Sequence, residues 1–252
     1  MKQKPLVSIL LPVYKSQDYL SDCLQSLLSQ TYKNLEIIAI DDNSSDASYR
    51  ILRSFAKTDK RVRTYRNKKR YGIAVSLNRA VRRARGRFIA FMNHNDIASK
   101  ERINQQIKFL LNNPKIAGVG TQARYLDKNQ KRIGKSSFPL VHQGLRETLL
   151  AGLSLQPETV VLNRSLLPID ILKFKSNQYP FVYTEVFIKC IQYALFANLN
   201  TYLYFHRKTN FTTPGRTQII PMLIKSWIKA TTLDYTPSIR ALLLPFLTPR
   251  SA

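Results

Sequence analysis

The chain is poor in acidic residues and in cysteine. Its 252 residues include 15 Asp and Glu against 40 Lys and Arg, which gives a formal net charge of +25. Such a charge favours an anionic partner, whether nucleic acid, an anionic membrane surface or a phosphorylated small molecule, although a merely basic surface is the alternative. The two cysteines, Cys23 and Cys190, lie in apolar helical patterns, which predicts buried reduced thiols rather than a disulfide or a metal site.

Long apolar runs are also missing. No stretch approaches the roughly 20 apolar residues that a membrane-spanning helix needs. The first five residues are polar and basic and a strand pattern follows at once, so no signal peptide is predicted. We therefore expect a cytoplasmic protein. The basic segment 212–252 is amphipathic and carries Trp227 between Lys225 and Lys229, which favours either peripheral contact with an anionic inner membrane face or a helix packed on the sheet.

Strand patterns alternate with helical patterns through the first part of the chain. Strands are predicted at 6–14, 35–40, 62–65, 87–92, 116–124, 159–162 and 202–207, and helices at 19–28, 49–56, 73–84, 97–113, 142–150 and 181–199. Pro12 is expected to end the first strand, because proline cannot donate to a central ladder. The alternation predicts an α/β fold with a mostly parallel central sheet flanked by helices.

Polar residues follow two of these strands. Asp41 and Asp42 come directly after an apolar run, and the polar run 93–96 follows the fourth strand. In open α/β sheets, ligands bind outside the carboxyl ends of the strands, so a ligand site is predicted at this edge. The alternative for the first pair is a turn in which a residue of 43–46 caps the next helix.

A basic loop precedes the third helix. Arg66, Lys68, Lys69 and Arg70 crowd in front of Gly72, behind which a helix begins. A helix N-terminus behind a glycine and a cationic cluster is a candidate phosphate site. A solvated basic loop with no ligand is the alternative.

Several segments occur together in a recognisable order. They are VSILLPVY at 7–14, LLSQTYKNLE at 27–36, DDNSSD at 41–46 and ARGRFIAF at 84–91. With these segments the chain resembles the family 2 inverting glycosyltransferases, which have a Rossmann-like GT-A fold and use nucleotide-diphosphate sugars. The resemblance implies a GT-A domain at 1–211, with a nucleotide-binding half at about 1–97 and an acceptor half at about 98–211, followed by the basic amphipathic segment 212–252.

The resemblance also implies a nucleotide-sugar site. The residues placed there are Pro12, Val13, Tyr14, Asp41, Asp42, Arg70, Gly72, Asn93 and His94. Residues 12–14 would line the nucleobase pocket, and Asp41 would hold the base or the ribose. A carboxylate suits that role because it can accept two hydrogen bonds from a ribose diol.

The run Asn93-His94-Asn95 stands where the family has its Asp-x-Asp metal motif, but asparagine replaces both acids. Mg²⁺ and Mn²⁺ prefer oxygen ligands, so Asn95 and Asp96 are the predicted ligands of Mn²⁺ or Mg²⁺. Two alternatives stay open. Basic side chains such as Arg70 or Arg207 neutralise the leaving group without a metal, or catalysis has been lost.

Glu185 stands where the family has its general base, and it is the only acid between residues 171 and 211. Its alternative role is that of a carboxylate stabilising a helix N-terminus. Glu158 is the predicted acceptor contact. The implied function is transfer of a sugar from a nucleotide-diphosphate donor, a UDP-sugar, to a hydroxyl of a saccharide or lipid-linked acceptor in surface polysaccharide synthesis. A catalytically degenerate GT-A domain that binds a nucleotide sugar or a partner is the alternative, and no specific nucleic-acid binding is expected.

Overall fold

A computed structural model describes residues 4–148, 155–175 and 181–208, and the predicted C-terminal segment lies outside these ranges. The strands are β1 (Val7–Val13), β2 (Leu35–Asp41), β3 (Val62–Arg66), β4 (Phe88–Phe91), β5 (Ile97–Ala98), β6 (Ile116–Leu126), β7 (Arg132–Lys135), β8 (Val161–Asn163) and β9 (Leu195–Arg207). The helices are α1 (Leu20–Leu28), α2 (Ser48–Thr58), α3 (Ile73–Arg83), α4 (Arg102–Asn112), α5 (His142–Thr148) and α6 (Phe181–Tyr193). No helix of the described ranges is long and apolar enough to cross a membrane.

All nine of these strands join one sheet. Their order is β3-β2-β1-β4-β8-β6-β9-β5, and β7 pairs with β6 off this path. The first four strands are parallel, as are β6 and β9, whereas β8, β5 and β7 each pair antiparallel with their neighbours. Six strands thus run in one direction, and the predicted α/β class with a mostly parallel sheet is confirmed.

The sheet is buried on both faces. Alternate residues of a strand point to opposite faces, so Ile9 and Leu11 of β1 join one core with α1, α2 and α4, while Leu10 joins the other with α3, α5 and α6. All seven residues of β1 and of β2 are buried. This two-sided burial explains why both strands are nearly continuous apolar runs in the sequence.

Glu36 is the polar exception inside β2. Its carboxylate accepts hydrogen bonds from Ser8 Oγ at 2.7 Å, from the Arg85 amide at 2.9 Å and from Arg63 Nη1 at 2.5 Å. Burial opposes its negative charge, but these hydrogen bonds and the charge of Arg63 lower its pKa. Glu36 therefore ties β1, β3 and the segment before β4 to β2.

Pro12 does not end the first strand as predicted. It lies inside β1, in register with Ile40 of β2. Even-numbered residues of β1 bond toward β4, since the Leu10 carbonyl accepts from the Met92 amide at 3.2 Å. The ladder with β4 ends at the pair Leu10–Phe91, so no strand needs the amide that Pro12 lacks.

Two predicted helices are also too long. Ile97 and Ala98 form β5, paired with β9, and α4 begins only at Arg102. The helix predicted to reach residue 199 ends at Tyr193, and Leu195–Arg207 is a single strand beside β6. The pattern of a short apolar segment fits a helix and a strand equally well. Here the pairing with neighbouring strands of the sheet determines that both segments are strands. The other predicted elements are confirmed to within about two residues at most ends, the usual uncertainty of such boundaries.

Candidate active site

The carboxyl ends of β1, β2 and β4 meet at one edge of the sheet. Val13 lies in register with Asp41, and the loop after β4 reaches the same edge, where His94 Nδ1 lies 2.9 Å from the carbonyl oxygen of Pro12. A carbonyl only accepts, so His94 Nδ1 carries the proton. Burial lowers the pKa of His94, which favours this neutral imidazole. The structure thus brings the predicted residues of three separate segments together.

Asp41 is fully buried at this edge. Its carboxylate accepts from the Ser44 amide at 3.2 Å and pairs with Arg66 Nε at 3.1 Å. The Arg66 guanidinium also donates to the Ser44 carbonyl at 2.8 Å and lies 4.8 Å from the centre of the Tyr49 ring. Asp41 therefore holds a fixed cation at the end of β3, and its predicted contact with a base or ribose stays a prediction.

Asp42 is engaged by the basic loop. One carboxylate oxygen accepts from Asn67 Nδ2 at 2.6 Å and from the Tyr71 amide at 2.9 Å, and the other accepts from the Gly72 amide at 2.7 Å. Gly72 has φ of 92°, a conformation that a residue with a side chain rarely adopts. Asp42 thus holds the backbone of the basic loop in place. From the sequence, Asp42 was predicted only as a residue of the nucleotide-sugar site.

Arg70 covers the ring of Tyr14. Its guanidinium carbon lies 4.2 Å from the ring centre, and Lys15 Nζ lies 5.7 Å from the same ring. Cations over an aromatic face are attracted by its quadrupole. The predicted nucleobase residue Tyr14 and the predicted phosphate-side residue Arg70 are therefore neighbours.

The turn at 93–96 is held by internal hydrogen bonds. Asn93 Oδ1 accepts from the Asn95 amide at 3.0 Å, and Asn95 Oδ1 accepts from Ser16 Oγ at 2.6 Å. Both side-chain oxygens that would face a metal in the family motif thus have a protein partner.

Asp96 is fully buried and accepts from three donors. They are Tyr204 Oη at 2.7 Å, His206 Nδ1 at 2.9 Å and the Arg207 amide at 2.8 Å. A divalent cation would have to compete with these donors for a buried carboxylate, and two of the donors are a backbone amide and a charged imidazolium. Within residues 4–148, 155–175 and 181–208, no group of three or more His, Cys, Asp or Glu side chains could hold a metal. The predicted pair Asn95 and Asp96 therefore does not fit a ready-made Mn²⁺ or Mg²⁺ site.

His206 is the cationic partner of Asp96. Burial alone would favour the neutral ring, but the nearby carboxylate outweighs it and raises the pKa of His206 to about 9. The imidazole packs edge-on against Tyr125, with ring centres 6.0 Å apart. Arg207, the next residue, is also buried and contacts the Asn95 carbonyl at 3.0 Å and Asp22 at 3.4 Å. The buried Arg207 side chain therefore supports the turn at 93–96. It is not exposed to neutralise the leaving group, as the metal-free alternative requires.

Glu185 lies in the second turn of α6. Its carboxylate pairs with Lys189 Nζ at 3.0 Å, four residues along the helix, and with Lys175 Nζ at 3.9 Å. The Glu185 side chain is 12% exposed. Its carboxylate therefore lies near the surface, beside two lysine side chains. Its predicted role as general base stays a prediction.

Glu158 is less accessible than an acceptor contact requires. It is 1% exposed, and its Oε2 accepts from Gln156 Nε2 at 2.7 Å. Its carbonyl accepts from the buried Arg102 at 2.7 Å, which also donates to the Phe91 carbonyl at 2.9 Å. In this structure Glu158 belongs to the core behind the edge, and reaching an acceptor would require movement.

Four residues that contribute to the site were not predicted. Ser16, Asn67, Tyr204 and His206 hold the turn and the loop through the contacts described above. His206 ends an aromatic strand and was visible as one of three histidines. Ser16 and Asn67 carry no local signal, because their partners are remote in sequence.

The comparisons with known proteins agree on one family. Residues 8–167 match the family model described as Glycosyl transferase family 2. The chain is 30% identical over 228 residues to an uncharacterised glycosyltransferase of Haemophilus influenzae, covering 89% of this chain and 85% of that protein. It is 36% identical over 108 residues to TuaG of Bacillus subtilis, a candidate teichuronic acid biosynthesis glycosyltransferase, covering 43% of each.

Solved structures share the fold. TarS 1–349 of S. aureus, in complex with UDP-GlcNAc, is similar with a TM-score of 0.69 at 17% identity, covering 88% of this chain and 66% of that one. The mannosyltransferase PcManGT of Pyrobaculum calidifontis, in complex with GDP-Man and Mn²⁺, is similar with a TM-score of 0.67 at 16% identity, covering 99% and 72%. The architecture is therefore that of the GT-A glycosyltransferases. The chain belongs to glycosyl transferase family 2, and it is a transferase enzyme.

Replacing Asp42 by alanine should release the basic loop. The amides of Tyr71 and Gly72 both donate to this carboxylate, and a hydrogen bond to a charged group contributes about 1.5–3 kcal/mol. Hydrogen exchange at these two amides should therefore accelerate at least about tenfold. The Ser44 amide, which bonds Asp41 instead, is the internal control. Unchanged exchange at Tyr71 and Gly72 would contradict the positioning role.

His206→Gln should change how stability depends on pH. The pKa of His206 is raised from 6.5 to about 9 in the folded chain, so its stabilisation is complete below about pH 6.5 and is lost as pH rises through about 9. Each pKa unit corresponds to about 1.4 kcal/mol. The unfolding free energy of the wild type minus that of the variant should thus fall by up to about 3 kcal/mol over this window. Denaturant unfolding of both proteins measures it, and parallel pH curves would contradict it.

Proposed function

We propose that the chain is an inverting glycosyltransferase. It transfers a sugar from a nucleotide-diphosphate donor, a UDP-sugar, to a hydroxyl group of a saccharide or lipid-linked acceptor in surface polysaccharide synthesis. The observation that carries the proposal is the shared edge of β1, β2 and β4, where Pro12, Tyr14, Asp41 and the turn at 93–96 meet. In open α/β sheets this edge is the usual ligand site.

Two of the similar proteins support the choice of donor and pathway. TarS binds UDP-GlcNAc in its solved complex, and TuaG is named as a candidate glycosyltransferase of teichuronic acid biosynthesis. PcManGT, by contrast, is described with GDP-Man. The chain spans about two thirds of the TarS structure and less than half of TuaG.

The nucleoside would lie between β1 and β2. Tyr14 offers an aromatic face for the base, and Arg70 already stacks on that face at 4.2 Å. Arg70 would move aside or remain as the outer layer of the stack. Asp41, with one oxygen 3.1 Å from Arg66, would accept a hydrogen bond from the ribose or base.

The charge of the leaving diphosphate would be met by the basic loop. Lys68, Lys69 and Arg70 are exposed, and Asp42 fixes the loop backbone beside them. Preorganised cations aimed at developing negative charge are an effective form of transition-state stabilisation. Because Asn95 and Asp96 already have protein partners, no step of this mechanism depends on a metal ion.

Glu185 would act as the general base. It would take the proton of the acceptor hydroxyl while the oxygen attacks the anomeric carbon from the face opposite the diphosphate. The bond from the anomeric carbon to the diphosphate oxygen breaks, and its electron pair leaves with the nucleotide. Lys189 and Lys175 lie beside the carboxylate and would hold it in place.

The proposed function also includes a lipid-linked acceptor and a location at a membrane surface. The amphipathic segment 212–252 would bring the enzyme to the anionic cytoplasmic face of a membrane, where lipid-linked saccharides are extended. Recovery of the full chain with anionic vesicles tests this contact, and equal recovery with neutral vesicles contradicts it.

A non-catalytic domain that binds a nucleotide sugar is the second candidate. The asparagines at 93 and 95 favour it, because they replace the carboxylates of the family's metal motif. Nucleotide-sugar binding without turnover by the wild type would establish it.

Glu185→Gln should abolish turnover and leave nucleotide binding intact. The substitution keeps the size of the side chain and removes its basicity, and loss of a general base typically costs about 10²–10⁴-fold in rate. UDP release from the donor measures turnover, and calorimetry measures UDP binding. The matched control is Glu101→Gln, the same change just before α4. Full activity of Glu185→Gln would reject the assignment.

Asp41→Ala should weaken UDP binding by at least about tenfold. A hydrogen bond to a buried charge contributes about 1.5–3 kcal/mol, and the variant also frees Arg66. The control is Asp46→Ala in the same loop, since Asp46 accepts from the amides of Gln17 and Ser48. Calorimetric titration with UDP compares the two after thermal unfolding has established that both are folded. Equal affinity in the wild type and Asp41→Ala would remove Asp41 from the site.

A further inference from the structure

The side chain of Asn93 has a fixed orientation in the turn at 93–96. Its Oδ1 lies 3.0 Å from the backbone amide nitrogen of Asn95. A backbone amide can only donate, so the atom that faces it must be the carboxamide oxygen. The carboxamide nitrogen, Nδ2, therefore lies on the side of the group that faces away from this hydrogen bond.

The side chain of Asn95 is oriented in the same way. Its Oδ1 lies 2.6 Å from Ser16 Oγ, whereas the other acceptor near that hydroxyl, the His94 carbonyl oxygen, lies at 3.2 Å. A hydroxyl has one proton to donate, and the shorter contact receives it. Asn95 thus also uses its oxygen inside the protein.

The two Nδ2 groups have no acceptor of their own. Within residues 4–148, 155–175 and 181–208, no hydrogen bond engages Nδ2 of Asn93 or of Asn95, and neither nitrogen is one of the buried side-chain atoms that lack a partner. Both side chains are half-buried. The turn therefore presents two N–H donor groups to solvent at the edge of the sheet.

Aspartate would serve the fold equally well at both positions. Each internal hydrogen bond of these side chains needs only an acceptor oxygen, which a carboxylate also has. Asparagine adds the amide nitrogen, which is the one polar atom of each side chain that the fold does not use. A carboxylate would place a negative oxygen there instead. The outward face of the turn therefore suits an anion, whereas the family's metal motif suits a cation.

The rest of the turn holds these two donors in position. The His94 ring donates to a carbonyl of β1 at 2.9 Å. On the other side, the Asn93 amide donates to Tyr204 Oη at 3.2 Å, and Arg207 donates to the Asn95 carbonyl at 3.0 Å. The turn is thus tied to β1 and to β9. Donors that are positioned before a ligand arrives lose little freedom when they bind it.

Two cations lie next to the turn. Ser16, the partner of the turn, follows Lys15, whose Nζ lies 5.7 Å from the centre of the Tyr14 ring, and the Arg70 guanidinium lies 4.2 Å from the same centre. Lys15 has φ of 47°, in the left-handed region that lysine rarely adopts, and its amide donates to Ser44 Oγ at 3.1 Å. In the part of the chain that the structure describes, neither cation forms an ion pair. An anion beside them would offset their mutual repulsion.

We propose that the amide nitrogens of Asn93 and Asn95 bind the diphosphate of the nucleotide-sugar donor directly, in the place of a metal ion. The inference rests on the proposed glycosyltransferase function and adds how the donor site recognises phosphate. The turn follows β4, which neighbours β1 on the side away from β2, about 4.8 Å farther along the sheet. A nucleoside between β1 and β2 therefore has its diphosphate within reach of the turn.

The two amides and the two cations act on the same group. Asn93 and Asn95 donate to phosphate oxygens from the side of β4, while Lys15 and Arg70 approach from the side of Tyr14. Fixed donors aimed at developing negative charge stabilise a departing group. The asparagines thus supply hydrogen bonds to the leaving diphosphate.

Aspartate substitutions test this role by changing a single atom. Asn93→Asp and Asn95→Asp keep the oxygen that holds the turn and replace the donor nitrogen by a negative oxygen. The matched control is Asn43→Asp, which adds the same charge at an exposed residue directly after Asp42. Asn43 has φ of 60°, a conformation that aspartate also tolerates. Calorimetry measures the affinity for UDP, and ligand-detected NMR measures that for uridine, which has no phosphate, both in EDTA.

We expect each turn variant to lose at least about tenfold in affinity for UDP, because a hydrogen bond to a charged group is lost and a repulsion replaces it. Its affinity for uridine should stay within about twofold of the wild type. The control should lose no more than about twofold for UDP, which is the effect of one charge about 10 Å away in water. A turn that had merely lost its structure would release Pro12 and weaken the binding of both ligands.

Four results would overturn the inference. They are unchanged UDP affinity in both turn variants, an equal loss for UDP and uridine, an equal loss in the control, and UDP binding by the wild type only when Mn²⁺ or Mg²⁺ is added. The last result would mean that the asparagine oxygens turn toward a metal ion. Failure of the wild type to bind any nucleotide sugar, with or without metal, would instead reject the proposed function itself.

Discussion

The parallel pairing of β1 with β2 and β4 is the constraint on which the rest of the site depends. Because parallel strands end at the same edge, the register Val13–Asp41 brings two segments 28 residues apart in sequence to one place. The arrangement of the site depends on the short length of β4 as well as on its direction. It leaves Pro12 without a strand partner on that side, and the carbonyl of Pro12 becomes the anchor of His94. Shifting the register by one residue would move every side chain of the edge to the opposite face.

Acidic residues are scarce in this protein, and the structure uses most of those at the sheet edge to hold cations and backbone amides. Asp41 holds Arg66, Asp42 holds the loop before α3, and Asp96 holds His206 and the amide of Arg207. The same carboxylates that look like ligand contacts in the sequence are therefore structural supports first. This arrangement leaves the cations of the loop before α3 exposed at the same edge, where an anionic donor would meet them.

The sequence could predict which residues meet at this edge of the sheet, but it could not predict the contacts that hold them there. Apolar runs that stop at Asp41 and at Asn93 show where strands end, and strand ends are a local signal. The partners of Asp42 and Asp96 lie about 25–110 residues away, so no local pattern reveals them. The helix predicted through residue 199 was wrong for a related reason. Leu195–Arg207 is a strand because β6 lies beside it, and that neighbour is decided by the whole sheet.

The central claim is that this edge binds a nucleotide sugar through the basic loop and without a metal ion. The most direct measurement is calorimetric titration of the full chain with UDP-, GDP- and dTDP-sugars, in EDTA and again with added Mn²⁺ or Mg²⁺. We expect that at least one of them, a UDP-sugar, binds with the same affinity in EDTA and in the presence of Mn²⁺ or Mg²⁺. Binding that appears only when Mn²⁺ or Mg²⁺ is added would contradict the role of the loop. Binding of none of the donors would contradict the assignment of the edge as a nucleotide-sugar site.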